Sequence, residues 1–346
     1  MLYKTLNPHG GDIYQKEVRL DFSANLNPLG MPKSALDAAK AAVDFSVHYP
    51  DPFCRRLVAA LSASEGVAED CILCGNGASE LIFGYCRAVK AEKALVTAPS
   101  FADYTVALSA AGTKIARYAL SEDCSFDIDR GITGAIEKEE ADLVFLCNPN
   151  NPTGRLIDDD VLLAVLDYCK ENEIKLFVDE CFLDLTDGRS MKQYVKTYAG
   201  LCILKAFTKT YAMPGLRLGY CMTSDQQLLQ AMSYMSQAWN VSVPAQAAGI
   251  AALSEKSYVK DARELIREER SYLSNVLVMM GFKVISSDAN FIMFKGPEDL
   301  DTKLLKKGIL IRNCDNYPGL ESGYYRVAVR SRFENEELIK AIKEVI

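Results

Sequence analysis

The chain contains only 2 histidines among its 346 residues, at positions 9 and 48. Cys71 and Cys74 form a CxxC pair, but no second pair and no nearby histidine completes a zinc set, so no metal site is expected. The segment Cys71–Cys74 reads instead as a short strand whose thiols pack as small apolar groups. Positive charge is also in deficit. There are 39 Lys+Arg against 46 Asp+Glu, a net charge of -7, which argues against a nucleic-acid groove but leaves room for a local basic pocket that takes a small anion. No uncharged apolar run is long enough to span a membrane. No apolar region follows the lysine of residues 1–8, so a signal peptide is not expected. Repeats and low-complexity stretches are absent. The 11 cysteines are odd in number and scattered through apolar segments, the pattern of free thiols in a reducing cytoplasm.

At 49% hydrophobic and 25% charged, the chain has material for a large core and about two domains. Short apolar strands are expected at 95–97, 143–147, 174–178, 201–204 and 218–221, with helices at 34–44, 53–65, 78–89, 103–111, 157–171 and 224–236. Strands alternating with helices predict an α/β domain with a mostly parallel sheet. Ligands of such sheets sit beyond the carboxyl ends of the strands, where the conspicuous polar residues fall here. After about residue 243 the pattern changes. A long charged amphipathic helix is expected at 257–279, short strands at 282–285, 290–294, 309–312 and 324–329, and a closing helix at 333–344. These read as a smaller α+β domain. The expected division is 49–243 for the larger domain, with 1–48 and 244–346 forming the smaller one.

Several segments carry chemistry. Gly75 to Glu80 places two glycines between a strand and a helix start, a turn whose exposed N–H groups can receive a phosphate. Ala98 to Tyr104 puts aromatic rings at a strand mouth. Cys147 to Gly154 and Phe177 to Phe182 end strands in Asn151 and Asp179. Lys209 follows an apolar run, and a Pro-Gly turn and Arg217 come after it. Each alone has an ordinary reading as a turn, a core aromatic or a surface charge. The ordered spacing of Asn151, Asp179, Lys209 and Arg217 is more specific.

Together these segments resemble the pyridoxal-phosphate enzymes related to aspartate aminotransferase, the class I and II aminotransferase-like family of fold type I. The resemblance implies pyridoxal 5'-phosphate as cofactor, held covalently by Lys209, with Lys209 or an ordered water as the proton donor at the reacting carbon. Asp179 would pair with the pyridine nitrogen and favour the protonated ring. Asn151 would contact the phenolic oxygen and border the substrate. Gly77, Ala78, Ser79 and Arg217 would hold the phosphate, and Phe101 would stack on the ring, with Tyr104 the lesser candidate. Ala206 replaces a hydroxyl residue common in the family; Thr208, water or a backbone group could supply the missing phosphate contact. Tyr49, in His48 to Pro52, matches a tyrosine that the family supplies from a partner subunit. That implies a homodimer with shared active sites, whereas His48 itself reads as structural.

The chain ends resemble one branch of the family, the threonine-phosphate decarboxylases of cobalamin side-chain synthesis. The matching stretches are His9 to Gly11, Leu20 to Gly30, Ile309 to Leu320 and Tyr324 to Ser331. The resemblance gives Arg326 the substrate carboxylate and Arg312 the substrate phosphate, with His9, the Gly10 backbone and Asn25 completing the pocket. Arg330 is expected to be a surface or inter-domain ion pair. Phe182 stands where many aminotransferases carry a tyrosine, and it cannot donate that hydrogen bond. The implied reaction is decarboxylation of L-threonine O-3-phosphate to (R)-1-aminopropan-2-yl phosphate and carbon dioxide. The alternatives are a histidinol-phosphate aminotransferase and, more remotely, a noncatalytic phosphate-metabolite-binding protein.

Overall fold

The computed structural model describes residues 9–14 and 17–346. The N-terminal residues 1–8, on which the absence of a signal peptide was read, lie outside the described residues. In chain order the elements begin with β1 (Leu20–Asp21), α1 (Lys33–Ala42), α2 (Arg55–Glu65), β2 (Ile72–Gly75), α3 (Ala78–Val89), β3 (Lys93–Ala98), α4 (Ala102–Ala110) and β4 (Lys114–Ala119). There follow α5 (Gly131–Lys138), β5 (Leu143–Cys147), α6 (Asp159–Glu171), β6 (Lys175–Asp179), β7 (Leu201–Ala206), the short α7 (Phe207–Thr210), β8 (Gly219–Met222), α8 (Gln226–Met235) and α9 (Val243–Leu253). The remainder comprises α10 (Tyr258–Met279), β9 (Lys283–Val284), β10 (Phe291–Lys295), α11 (Leu300–Leu305), β11 (Ile309–Leu310), β12 (Arg312–Asn313), β13 (Tyr324–Ala328) and α12 (Arg332–Val345).

Seven strands form one sheet in the order β2-β8-β7-β6-β5-β3-β4. Only β8 runs against the others. Along β5 the side chains alternate between two cores. Leu143, Phe145 and Cys147 join the core beneath α3, α4 and α8, while Val144 and Leu146 face the core shared with α2, α6 and α9. A period of two with both faces buried makes β5 an unbroken apolar run. A four-stranded antiparallel sheet, β12-β13-β10-β9, packs beneath α10 and α12, and β1 pairs in parallel with β11. The architecture is thus a large α/β domain plus a smaller α+β domain.

The structure corrects the expected strand at 309–312. It is two strands in two sheets: Leu310 pairs with Asp21, and after buried Ile311 the chain turns so that Arg312 pairs with Arg326. Six elements were not foreseen: β1, β4, α5, α7, α9 and α11. β4 is an edge strand whose Lys and Arg mask its apolar alternation. α5 carries two glycines, and α9 is so rich in alanine that no apolar stripe stands out. Helix α1 buries Ala35 and Ala39 in the core that holds Ala245 and Ala248 of α9. Ala35 and Ala39 lie in 1–48, and Ala245 and Ala248 in 244–346, the two segments that the expected division joins. All 11 cysteines are free thiols.

Beneath α7 lies a buried ion cluster. Lys205 of β7 is 3% exposed and donates to Asp184 at 2.7 Å and to Glu65 of α2 at 3.2 Å. Lys192 and Tyr220 also donate to Glu65. Burial pushes Glu65 up, but Lys205 and Lys192 outweigh it and bring the carboxyl down to about 2. Removing one partner of such a pair strands the other, at a cost of roughly 3–5 kcal/mol. Glu65→Gln should therefore lower the urea midpoint of unfolding; an unchanged midpoint would show that the cluster contributes nothing. Because the folded-state value is depressed from 4.5, the stabilisation is complete above that pH and is lost as pH falls through about 2.

Candidate active site

Six loops leave the large sheet along a single edge. Gly77 follows β2, Phe101 follows β3 and Asn151 follows β5. Asp179 ends β6, Lys209 follows β7, and Arg217 precedes the reversed strand β8, whose Gly219 pairs with both Gly75 and Ala206. The parallel register thus brings residues more than a hundred positions apart to one cavity. Its lining includes His9, Gly10, Asn25, Ala78, Ser79, Phe101, Asn151, Asp179, Thr208, Lys209, Arg217, Arg312 and Arg326. Two candidates from the sequence are not in the wall. Gly77 lies behind Arg217. Tyr49 is exposed and stacks on Trp239 at 4.4 Å, outside its own chain's cavity.

Lys209 sits on the single turn α7. Its backbone carbonyl accepts from Asn27 N, and Asn27 Nδ2 donates to the Thr210 carbonyl, so residues 23–27 fasten this turn. The amine lies 5.7 Å from the centre of the Phe182 ring. Burial, aided by Arg326 and Arg217, lowers Lys209 to about 8, against the opposing pull of Cys181 and Asp179. The buried thiols Cys147 and Cys181 are pushed up by desolvation and by Asp179, so Lys209 is the better nucleophile in the cavity.

Asp179 accepts from Tyr104 Oη at 2.7 Å and from Cys181 N at 2.9 Å. Burial raises its pKa despite these donors. A cation placed against the carboxylate would reverse that direction. Tyr104 is wholly buried and committed to Asp179 through its hydroxyl; Phe101 meets it edge-on at 5.6 Å and stays half-buried at the cavity.

An anion cup lies at the start of α3. This helix has no side-chain cap, so its first amides face outward. Gly77 has φ +81°, and a Cβ there would fall 2.3 Å from Arg217 Nη2, so only glycine lets the guanidinium approach the helix start. A Cβ on Gly219 would meet Ala78 N at 3.0 Å. Thr208 adds a hydroxyl, whereas the Ser79 hydroxyl donates its proton to Asp103.

Arg312 and Arg326 are directly opposed on β12 and β13 and therefore leave the same face of the small sheet. Like charges so placed repel unless an anion bridges them. Arg326 is 5% exposed. It donates through Nη1 to Asn151 Oδ1 and through Nη2 to the Ser23 carbonyl at 2.8 Å, while Nε has no partner among the described residues. Arg312 lies over the Tyr317 ring at 5.2 Å and donates to the Asn313 carbonyl and to Asn316 Oδ1. Asn25 Oδ1 is buried and likewise has no partner among the described residues. Arg330, expected to be an ion pair, donates to Glu334 and to the Asp21 carbonyl.

Four features were missed in the sequence: Ser23, Asp103, Tyr317 and the hydroxyl role of Tyr104. All lie inside segments already singled out. Asp103 is hidden because a carboxylate in a first helical turn is an ordinary dipole partner.

Residues 18–342 match the model of the family "Aminotransferase class I and II". The chain belongs to this family. It is 36% identical to threonine-phosphate decarboxylase of Salmonella typhimurium, covering 98% of this chain and 96% of the relative. It is 34% identical to histidinol-phosphate aminotransferase 1 of Carboxydothermus hydrogenoformans, covering 99% and 97%. The crystal structure of the histidinol-phosphate aminotransferase from Clostridium acetobutylicum superposes with a TM-score of 0.87 at 32% identity, covering 94% of this chain and 98% of that one. The architecture is the aspartate-aminotransferase-like fold type I. The residues fit the family's cofactor, pyridoxal 5'-phosphate: an anion cup at α3, a buried carboxylate at Asp179, an aromatic wall at Phe101 and a partly neutral amine at Lys209.

The Lys209 amine becomes neutral, hence nucleophilic, as pH rises through about 8. Loading of cofactor-free protein, followed by absorbance, should accelerate through that pH and then level. A rate independent of pH between 6 and about 9 would show that the amine is not the group that limits capture.

Proposed function

We propose that the chain is a pyridoxal-phosphate-dependent decarboxylase of L-threonine O-3-phosphate, yielding (R)-1-aminopropan-2-yl phosphate and carbon dioxide for the aminopropanol arm of cobalamin. At the coarser level, the family and fold support a reaction on a small phosphorylated metabolite, either decarboxylation or amino transfer. One observation carries the finer choice. The two segments that resemble the decarboxylase branch specifically, His9 to Gly11 and Asn316 to Leu320, converge on the same cavity through His9, Gly10 and Tyr317.

When bound, pyridoxal 5'-phosphate supplies the sink for the electron pair left on the substrate α-carbon. Gly77, Ala78, Ser79, Thr208 and Arg217 would hold its phosphate, Phe101 would wall its ring and Asp179 would pair with its nitrogen. Arg326 takes the substrate carboxylate, and Arg312 takes the substrate phosphate. Anchoring both ends of a small substrate spends binding energy on orienting the bond that breaks. Asn151, bridged to Arg326, and Asn25 border the α-carbon. After the carbon–carboxylate bond breaks, Lys209 returns a proton to that carbon. An amine that titrates near 8 serves both as base and as acid near neutral pH. Phe182 packs on Phe291 at 5.1 Å, and its side chain would offer the bound cofactor no hydrogen-bond donor.

A second reading is supported by the extended likeness to histidinol-phosphate aminotransferases: transamination of histidinol phosphate with an oxo acid. We further infer a homodimer. Val43, Phe45, Val47, Tyr49 and Phe53 expose apolar surface in one short stretch, and Tyr49 would complete the partner's phosphate cup.

The reactions separate in a paired assay. Carbon dioxide release from threonine phosphate without an oxo acid supports the proposal. Oxo-acid-dependent consumption of histidinol phosphate, with no carbon dioxide released, contradicts it. In the same assay, Arg326→Ala and Arg312→Ala should each lose roughly 2–5 kcal/mol of substrate binding while retaining cofactor. Unchanged KM in either would make that arginine structural.

A further inference from the structure

Asp103 has no role in the reaction described above, yet both oxygens of its buried carboxylate are engaged at the edge of the cavity. Oδ1 meets His9 Nε2 at 2.9 Å, and Oδ2 accepts from Ser79 Oγ at 2.7 Å. The residue is 7% exposed, so it is more than a solvated partner of the α4 dipole. Burial pushes its carboxyl up, but His9, Ser79 and Arg217 together hold it below the usual carboxylate range. An anion is thus fixed beside a cup that binds anions, which is unfavourable unless donors face it. His9 comes to it from the N-terminal segment and Arg217 from the turn before β8.

Residues 9–11 are fastened at their other end too. Gly10 lies so close to Ser23 that a Cβ would fall 2.4 Å from the Ser23 carbonyl oxygen, and Gly11 N donates to Ser23 Oγ at 2.7 Å. That same carbonyl accepts from Arg326. The His9 ring meets Phe101 at 5.4 Å. The segment therefore bridges from Asp103 on one side of the mouth to Ser23 and Arg326 on the other.

We propose that Asp103 is a positioning residue: it latches His9, and with it residues 9–11, across the cavity mouth, holding the imidazole in the wall of the substrate pocket. The latch stands on geometry alone; the substrate it serves rests on the functional reading above.

The test uses the dimeric or monomeric holoenzyme as purified, with cofactor absorbance reporting an intact site. Amide hydrogen exchange at Gly11 should quicken about tenfold in both Asp103→Asn and His9→Ala. It should quicken no further in the double variant, because both remove one interaction. Asp103→Glu should recover part of the protection. With whichever phosphorylated substrate the wild type turns over, Asp103→Asn should raise KM more than it lowers kcat. Unchanged exchange in folded Asp103→Asn, or a fall in kcat with KM unmoved, overturns the latch. Failure of the reaction assignment is seen separately, because the wild-type assay identifies the substrate before the variants are compared.

Discussion

The site depends on holding a lysine amine where its charge is disfavoured. Lys209 is half-buried in a cavity it shares with Arg326 and Arg217, and desolvation with these two arginines brings it to about 8. That choice constrains much else. The turn carrying Lys209 must be short and rigid, so Asn27 ties down two of its carbonyls. The strand before it must be fixed from below, where Lys205 is locked between Glu65 and Asp184. The two lysines, four residues apart, are driven in opposite directions. Lys205 is surrounded by carboxylates and its charge is secured, whereas Lys209 faces arginines and its charge is loosened.

The arginine pair is the second constraint. Register puts Arg312 and Arg326 opposite each other on two short strands, an arrangement that stores repulsion until an anion arrives. Part of the cost is offset by neighbours: Tyr317 lies under Arg312, and Asn151 and the Ser23 carbonyl accept from Arg326. The small sheet thus presents two cations to the edge of the large sheet, where α3 and Arg217 form a separate anion cup. A substrate with two anionic ends and a cofactor with one match this distribution of charge.

Much of this was legible in the chain. β5, β6 and β7 are apolar runs ended by polar residues, and strands buried on both faces leave that signature. Asn151, Asp179 and Lys209 lie at or just past their ends, and their ordered spacing, with the family resemblance, singled them out. Elements whose pattern is diluted were not legible: β4 at the sheet edge, α5 with its glycines, and alanine-rich α9. The break at Ile311 was hidden too, since a strand that changes partners keeps its apolar period. Side-chain pairings between distant segments, such as Tyr104 with Asp179 or Arg326 with Asn151, exist only once the sheet register is set.

The most direct test of the central claim is to find which residue carries the cofactor. Purified holoenzyme is reduced with borohydride, digested and analysed by peptide mass. The account predicts the pyridoxyl mass on Lys209 alone. The label on another lysine, or none on a protein that retains the cofactor chromophore, would contradict it.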